Sequence, residues 1–214
     1  MSTDLTTDIK PESTQAIEAG FNSSDGFAFL QRVATALSKS TLIPKDYQNN
    51  LPNCLVALNM AQRLDADPLM VMQNLYVVHG RPAWSSQFLI ATANRCGKFT
   101  PLRYRFTGTE GKDDFGCVCS AMERETGEVL EGTEITIAMA KAEGWHSKNG
   151  SKWQTMPEQM LRYRAAAFFV RCYAPELSLG LSTREEADDI IDGEVVPRSV
   201  GRLTVKEPKE VQGE

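Results

Sequence analysis

Trp145, Lys148, Lys152 and Trp153 stand close together in this chain, and Arg162, Arg164 and Arg171 follow them. Aromatic rings interleaved with cations suit one kind of chemistry. The rings stack on unpaired bases while the cations neutralise phosphates, so the pattern holds a single strand and breaks no bond. Arginine adds a planar fork that grips phosphate bidentately. At 100° per residue, Leu161, Ala165, Phe168, Phe169 and Cys172 form one apolar stripe on a helix that opens after Met156. Arg164 and Arg171 are seven residues apart and stack on one flank of that stripe, whereas Arg162 falls on the opposite flank. Neither Arg164 nor Arg171 has an acidic i,i+4 partner within the helix, which favours a shared groove-facing role for the two. The plainer alternative makes them core-edge arginines paired with carboxylates, and makes Trp153 an anchor for the loop before the helix.

The net charge of −5 argues against a nucleic-acid partner, but its distribution does not. Between Lys141 and Arg171 the cations are Lys141, Lys148, Lys152, Arg162, Arg164 and Arg171, against Glu143 and Glu158 alone. The balance then reverses through Glu176, Glu185, Glu186, Asp188, Asp189, Asp192 and Glu194. A basic block therefore precedes an acidic one. The acidic block reads as a solvated face, or as a surface that meets a neighbour's basic groove.

The elements that must position these residues follow from periodicity and punctuation. Gly26 to Ser38 and Leu51 to Leu64 have helical spacing, the second with Pro52 near its start and Asp65-Ala-Asp-Pro68 at its end. Leu75 to His79 and Pro82 to Trp84 read as a hairpin turning at Gly80-Arg81, followed by a helix capped by Ser85 or Ser86 and closed by Gly97. Phe99 to Phe106, Phe115 to Glu123 and Glu128 to Thr133 read as three antiparallel strands, and Thr136 to Glu143 as a short helix. Trp145 to Trp153 is expected as an exposed loop or hairpin. Thr155-x-x-Glu158 has the form of a capping box opening the long helix to Tyr173, and Ser182-x-x-Glu185 repeats that form before a last helix to Ile191. The expected class is α+β: N-terminal helices, a β-hairpin and a three-stranded antiparallel sheet packed on a long basic helix, with disordered ends. Residues 1–24 are expected as a flexible arm, 25–192 as the core and 193–214 as a polar tail.

Other candidates resolve into structure. His79 and His146 lack ligand-spaced partners, and the scattered cysteines (Cys54, Cys96, Cys117, Cys119 and Cys172) form neither a disulfide framework nor a zinc pattern. Asp65 and Asp67 end a helix more simply than they hold a metal. Ser85-Ser86 has no G-x-S-x-G around it, and no G-x-x-x-x-G-K-[ST] is present for an ATP-driven recombinase. No catalytic residue, metal site or cofactor is expected. The N-terminus lacks signal-peptide character, and no apolar run approaches the roughly 20 residues of a membrane span, so a cytoplasmic protein is expected.

Trp153-Gln-Thr-Met-Pro-Glu-Gln-Met-Leu-Arg-Tyr-Arg-Ala165, then Arg171 and Tyr173-Ala-Pro-Glu-Leu177, resembles the signature of the RecT/Bet (Red beta-like) family of phage single-strand annealing proteins. Leu58 to Pro68 resembles that family's helix ending before Asn-Pro or Asp-Pro. Leu75 to Asn94 resembles its strand, turn, strand and helix, and Phe99 to Trp145 agrees in order and spacing; the likeness spans about residues 27–192. The resemblance implies ATP-independent binding of single-stranded DNA, annealing through a duplex intermediate, and ring or filament homo-oligomers in the bacterial host cytoplasm. It further implies a phage 5′-to-3′ exonuclease and the host single-strand binding protein as partners. Arg162, Arg164 and Arg171 match basic positions of the motif, and Lys45 falls near another. With Arg81 in the hairpin turn and Lys148, Lys152 and Trp153 in the loop, they complete the candidate DNA-binding set. The sequence departs from the pattern at Glu158 and Gln159, where a close member has basic residues, and near Gln73, where it has a lysine. Two alternatives stand beside annealing: a passive single-strand binding protein, and a metal-dependent nuclease using Asp65, Asp67 or the group from Asp188 to Asp192.

Overall fold

The computed structural model describes residues 20–189. The expected polar tail, nearly all of the N-terminal arm and the end of the last helix at Ile191 lie outside them. Helix α1 (Ser24–Ser38) starts where Ser23 accepts a hydrogen bond from the Gly26 amide at 3.1 Å, two residues earlier than its apolar spacing alone suggests. It packs along α2 (Leu51–Leu64), which Asn50 caps and which Asp65 ends in the left-handed conformation (φ 48°). Asp67 then accepts from the Met70 amide at 2.9 Å, and Pro68 opens α3 (Pro68–Asn74), a turn of helix that the spacing of apolar residues does not announce. The two aspartates thus serve one helix end and one helix start.

Strands β1 (Leu75–Val78) and β2 (Arg81–Trp84) pair antiparallel, with Leu75 opposite Trp84 and Val78 opposite Arg81. The two turn residues are His79 and Gly80, one position earlier than expected, and both have positive φ (49° and 75°). That is the geometry of a two-residue turn matched to strand twist. It frees Arg81 from the turn and places it in the strand. Ser85 caps α4 (Ser86–Arg95) by accepting from the Phe88 amide.

The second sheet pairs β3 (Arg103–Thr107) with β4 (Gly116–Met122), and β4 with β5 (Val129–Glu131). A short β6 (Ile135–Thr136) continues the β5 edge against the start of β4, so the expected three strands are joined by a fourth. After α5 (Ile137–Ala142) and the single turn α6 (Lys152–Thr155), the long helix α7 (Pro157–Tyr173) lies across β4. The expected Thr155 capping box does not form. Thr155 belongs to α6, Met156 takes the cap position and no side chain caps α7. Pro175 begins α8 (Pro175–Ser178), and α9 (Arg184–Asp189) follows. Its capping box is Thr183 with Glu186, one residue later than expected: Thr183 N–H donates to Glu186 Oε2 at 2.9 Å.

The described residues bury two apolar clusters. One gathers α1, α2, α3 and the hairpin around Tyr47, Leu58, Met72 and Trp84. The other gathers the second sheet and α7 around Phe99, Ile135, Trp153 and Phe169. Consecutive residues of α4 serve different clusters, Phe88 the first and Leu89 the second. Helix α9 joins them again, touching β1 and β2 on one side and α7 on the other. The α+β class holds, with α7 against the second sheet. Among the described residues no helix is long and apolar enough to cross a membrane.

Candidate nucleic-acid interface

The acidic helix folds back onto the basic one. Arg164 is 5% exposed, and its guanidinium pairs with the Asp189 carboxylate and lies 4.0 Å from Glu186. Arg171 pairs with the same Glu186. Trp153 is 1% exposed and donates its indole N–H to Asp189 Oδ2 at 2.8 Å. Lys148 donates to the Asp188 carbonyl. Glu185 accepts from both the amide and the hydroxyl of Ser86 at the start of α4. Under this lid the Arg164 guanidinium lies 3.7 Å from the Trp145 ring centroid and 5.7 Å from that of Trp153, and the two indoles are 5.5 Å apart. Burial presses on the charges: it lowers the Arg164 pKa against the support of Glu186 and Asp189. It raises that of Asp189 against the Trp153 hydrogen bond and Arg164. Arginine keeps its charge regardless, so the arrangement is a buried, hydrogen-bonded ion pair.

This geometry corrects the expected shared face. Arg164 and Arg171 do line one flank of α7, but α9 closes that flank over Arg164, while Arg171 stays 39% exposed and pairs with Glu186. Their carboxylate partners come from another helix, which i,i+4 spacing cannot reveal. The apolar stripe is also broader than expected. Met160, Ala166, Ala167 and Val170 are buried beside Leu161, Ala165 and Phe169, while Cys172 is exposed and Phe168 half-buried. The expected exposed loop is likewise half-closed: Trp153 is in the core, Trp145 and Lys148 are half-buried, and Lys152 is exposed.

Of the remaining candidates Lys45 and Arg81 are exposed and Arg162 is half-buried. Lys45 is exposed on a 3₁₀ turn (Lys45–Tyr47), and Arg81 is exposed at the start of β2. Arg162 leaves α7 toward the second sheet, with its guanidinium 4.8 Å from the Phe106 ring centroid. Its carboxylate partner is Glu158, one turn back at 3.2 Å, and both side chains are well exposed. Such an exposed pair is worth about 0.3–0.5 kcal/mol, little enough to exchange for phosphate. Half-buried Tyr163 stands beside Arg162, its hydroxyl accepting from Gln87 of α4 at 3.1 Å. The structure therefore inverts the order the helical projection favours: Arg162 is available, and Arg164 is committed. Phe106 was legible only as an apolar strand residue; its pairing with Arg162 needs the sheet and helix in register.

No family model, curated protein or solved structure matches this chain.

Proposed function

We propose that this protein binds single-stranded DNA without ATP and anneals it to a complementary strand, as the resemblance to the RecT/Bet family implies. The observation that supports this reading best is the Arg162–Phe106 pair. A weakly engaged guanidinium beside a half-buried aromatic ring combines the phosphate contact and the stacking surface that a single strand requires. Exposed Lys45, Arg81 and Lys152 supply further charge. Backbone contacts of this kind are indifferent to sequence and weaken as salt rises. With the strand held by its phosphates, charge repulsion between two strands falls and the bases stay free to pair. Arg164 and Trp153 act behind the surface, fixing α7 and the loop before it. Ring or filament assembly, a phage exonuclease, the host single-strand binding protein and the host cytoplasm belong to the same proposal.

The test mixes complementary oligonucleotides with the protein in the absence of nucleotide, alongside electron microscopy with and without DNA. Accelerated annealing with rings or filaments is expected. Binding without acceleration would make the protein a passive single-strand binder, and cleavage with Mg²⁺ or Mn²⁺ would make it a nuclease.

A further inference from the structure

We propose a second contact for single-stranded DNA on the hairpin, formed by Tyr76, Arg81 and Arg184, distinct from the Arg162 edge. It rests on the reading of the protein as a single-strand binder. The register of β1 and β2 puts Leu75, Val77, Pro82 and Trp84 on one face and Tyr76, Val78, Arg81 and Ala83 on the other. The first face carries Leu75 and Trp84 into the N-terminal core. On the second face, the Arg184 guanidinium of α9 lies 4.6 Å from the Tyr76 ring centroid. Arg81 faces Val78, which makes it a diagonal cross-strand neighbour of Tyr76. Such neighbours stand about 7–8 Å apart, within reach of a long side chain. One guanidinium thus lies against a half-buried aromatic ring, and the register places Arg81 on the same face within reach of it.

Two of the four carboxylates of α9 are neutralised by arginines of α7. Glu186 and Asp189 turn inward and are consumed by Arg171 and Arg164, and Glu185 is held by Ser86. Asp188 is the carboxylate that accompanies Arg184, at 3.7 Å, with both side chains nearly half exposed. That pair contributes little and exchanges readily for a phosphate. Arg81 is exposed and has no ion pair among the described residues. A helix that reads as repulsive therefore presents an arginine outward. The guanidinium plane and the phenol ring offer stacking to a base, and both arginines offer bidentate contact to phosphate. This surface and Arg162 belong to different flanks of α7, because α9 closes the flank opposite Arg162. Their contributions are separable by mutation.

The experiment is fluorescence anisotropy of a fluorescein-labelled oligo-dT against the full chain across a salt series. R81A/R184A is expected to flatten the slope of log K against log salt by about 1.4, two cations at about 0.7 each. R184K is expected to keep the wild-type slope and bind more weakly, because charge remains and stacking is lost. Y76L is expected to weaken binding with the slope intact, and Y76F to bind like wild type. Thermal melts of every variant separate misfolding from lost contact. If wild type binds oligo-dT and R162A weakens it, while R81A/R184A and Y76L fold and bind like wild type, the hairpin contact is overturned and the single-strand reading survives. If wild type does not bind oligo-dT, both fall together.

Discussion

Arg164 of α7 and Asp189 of α9 form a buried ion pair, with the indole N–H of Trp153 donating to the same carboxylate. The pair joins the most basic stretch of the chain to the most acidic one and neutralises both within a single subunit. It also positions Trp145, whose ring lies against the Arg164 guanidinium. The pair leaves the net charge unchanged but removes one cation from the surface, so of the two arginines that the helical projection selects only Arg171 remains exposed.

Breaking this pair from one side leaves a buried charge without its closest partner, with only Glu186 at 4.0 Å remaining for Arg164. D189A is expected to cost about 3–5 kcal/mol of stability. Replacing both members with apolar residues, as in R164M/D189L, is expected to cost less than the single change. Urea unfolding of the two singles and the double would measure this, and a double as costly as the sum of the singles would contradict it.

Arg162 and Arg164 are two positions apart and should respond in opposite ways. R162A is expected to retain wild-type stability within about 0.5 kcal/mol, since its ion pair is exposed. The same variant should lower the salt slope of oligo-dT binding by about 0.7. R164A is expected to lower the melting temperature first, with DNA binding falling only as the fold is lost. Melting curves and salt titrations on the same preparations check both.

Tyr104 offers a change in the other direction. Its hydroxyl is buried and has no hydrogen-bond partner among the described residues, and burial pushes its pKa upward. An unpaired buried hydroxyl costs about 1–3 kcal/mol. Y104F should therefore stabilise the protein by about 1 kcal/mol, visible as a raised urea midpoint. A destabilised Y104F would show that the hydroxyl is satisfied in solution.

The cysteines predict both reactivity and pH dependence. Cys172 is exposed and Cys96 is half-buried, whereas Cys54, Cys117 and Cys119 are buried. One thiol should label rapidly with a maleimide, and the buried three only on unfolding. Burial raises Cys117 from 9.0 to about 11 and Cys119 to about 12. The folded state therefore holds these protons more tightly than the unfolded chain, which releases them near the ordinary thiol value. Their stabilising contribution is complete below that value and is lost as pH rises through the folded values. Urea midpoints should hold below about pH 9 and fall as pH rises toward about 11, and C119A should fall less steeply.

Local punctuation was enough to place most elements. Pro52 marked the start of α2, Ser85 or Ser86 the cap of α4, and Pro175 the end of α7. These are contacts between residues a few positions apart, so composition and spacing carry them. Some differences are of one residue, where two neighbouring residues compete for one role; others are larger, with α3 and β6 unannounced and no capping box at Thr155. The hairpin turn lies at His79-Gly80, and the last capping box at Thr183 and Glu186. The chain by itself also determined that a basic block with interleaved tryptophans precedes an acidic one. It did not determine what each charge meets. Arg164 and Asp189 are 25 positions apart, and Arg162 meets Phe106 across the strand-helix interface. Side-chain pairing at that separation depends on how α9 and the second sheet dock on α7. Only that docking decided which arginine is buried and which stays nearer the surface.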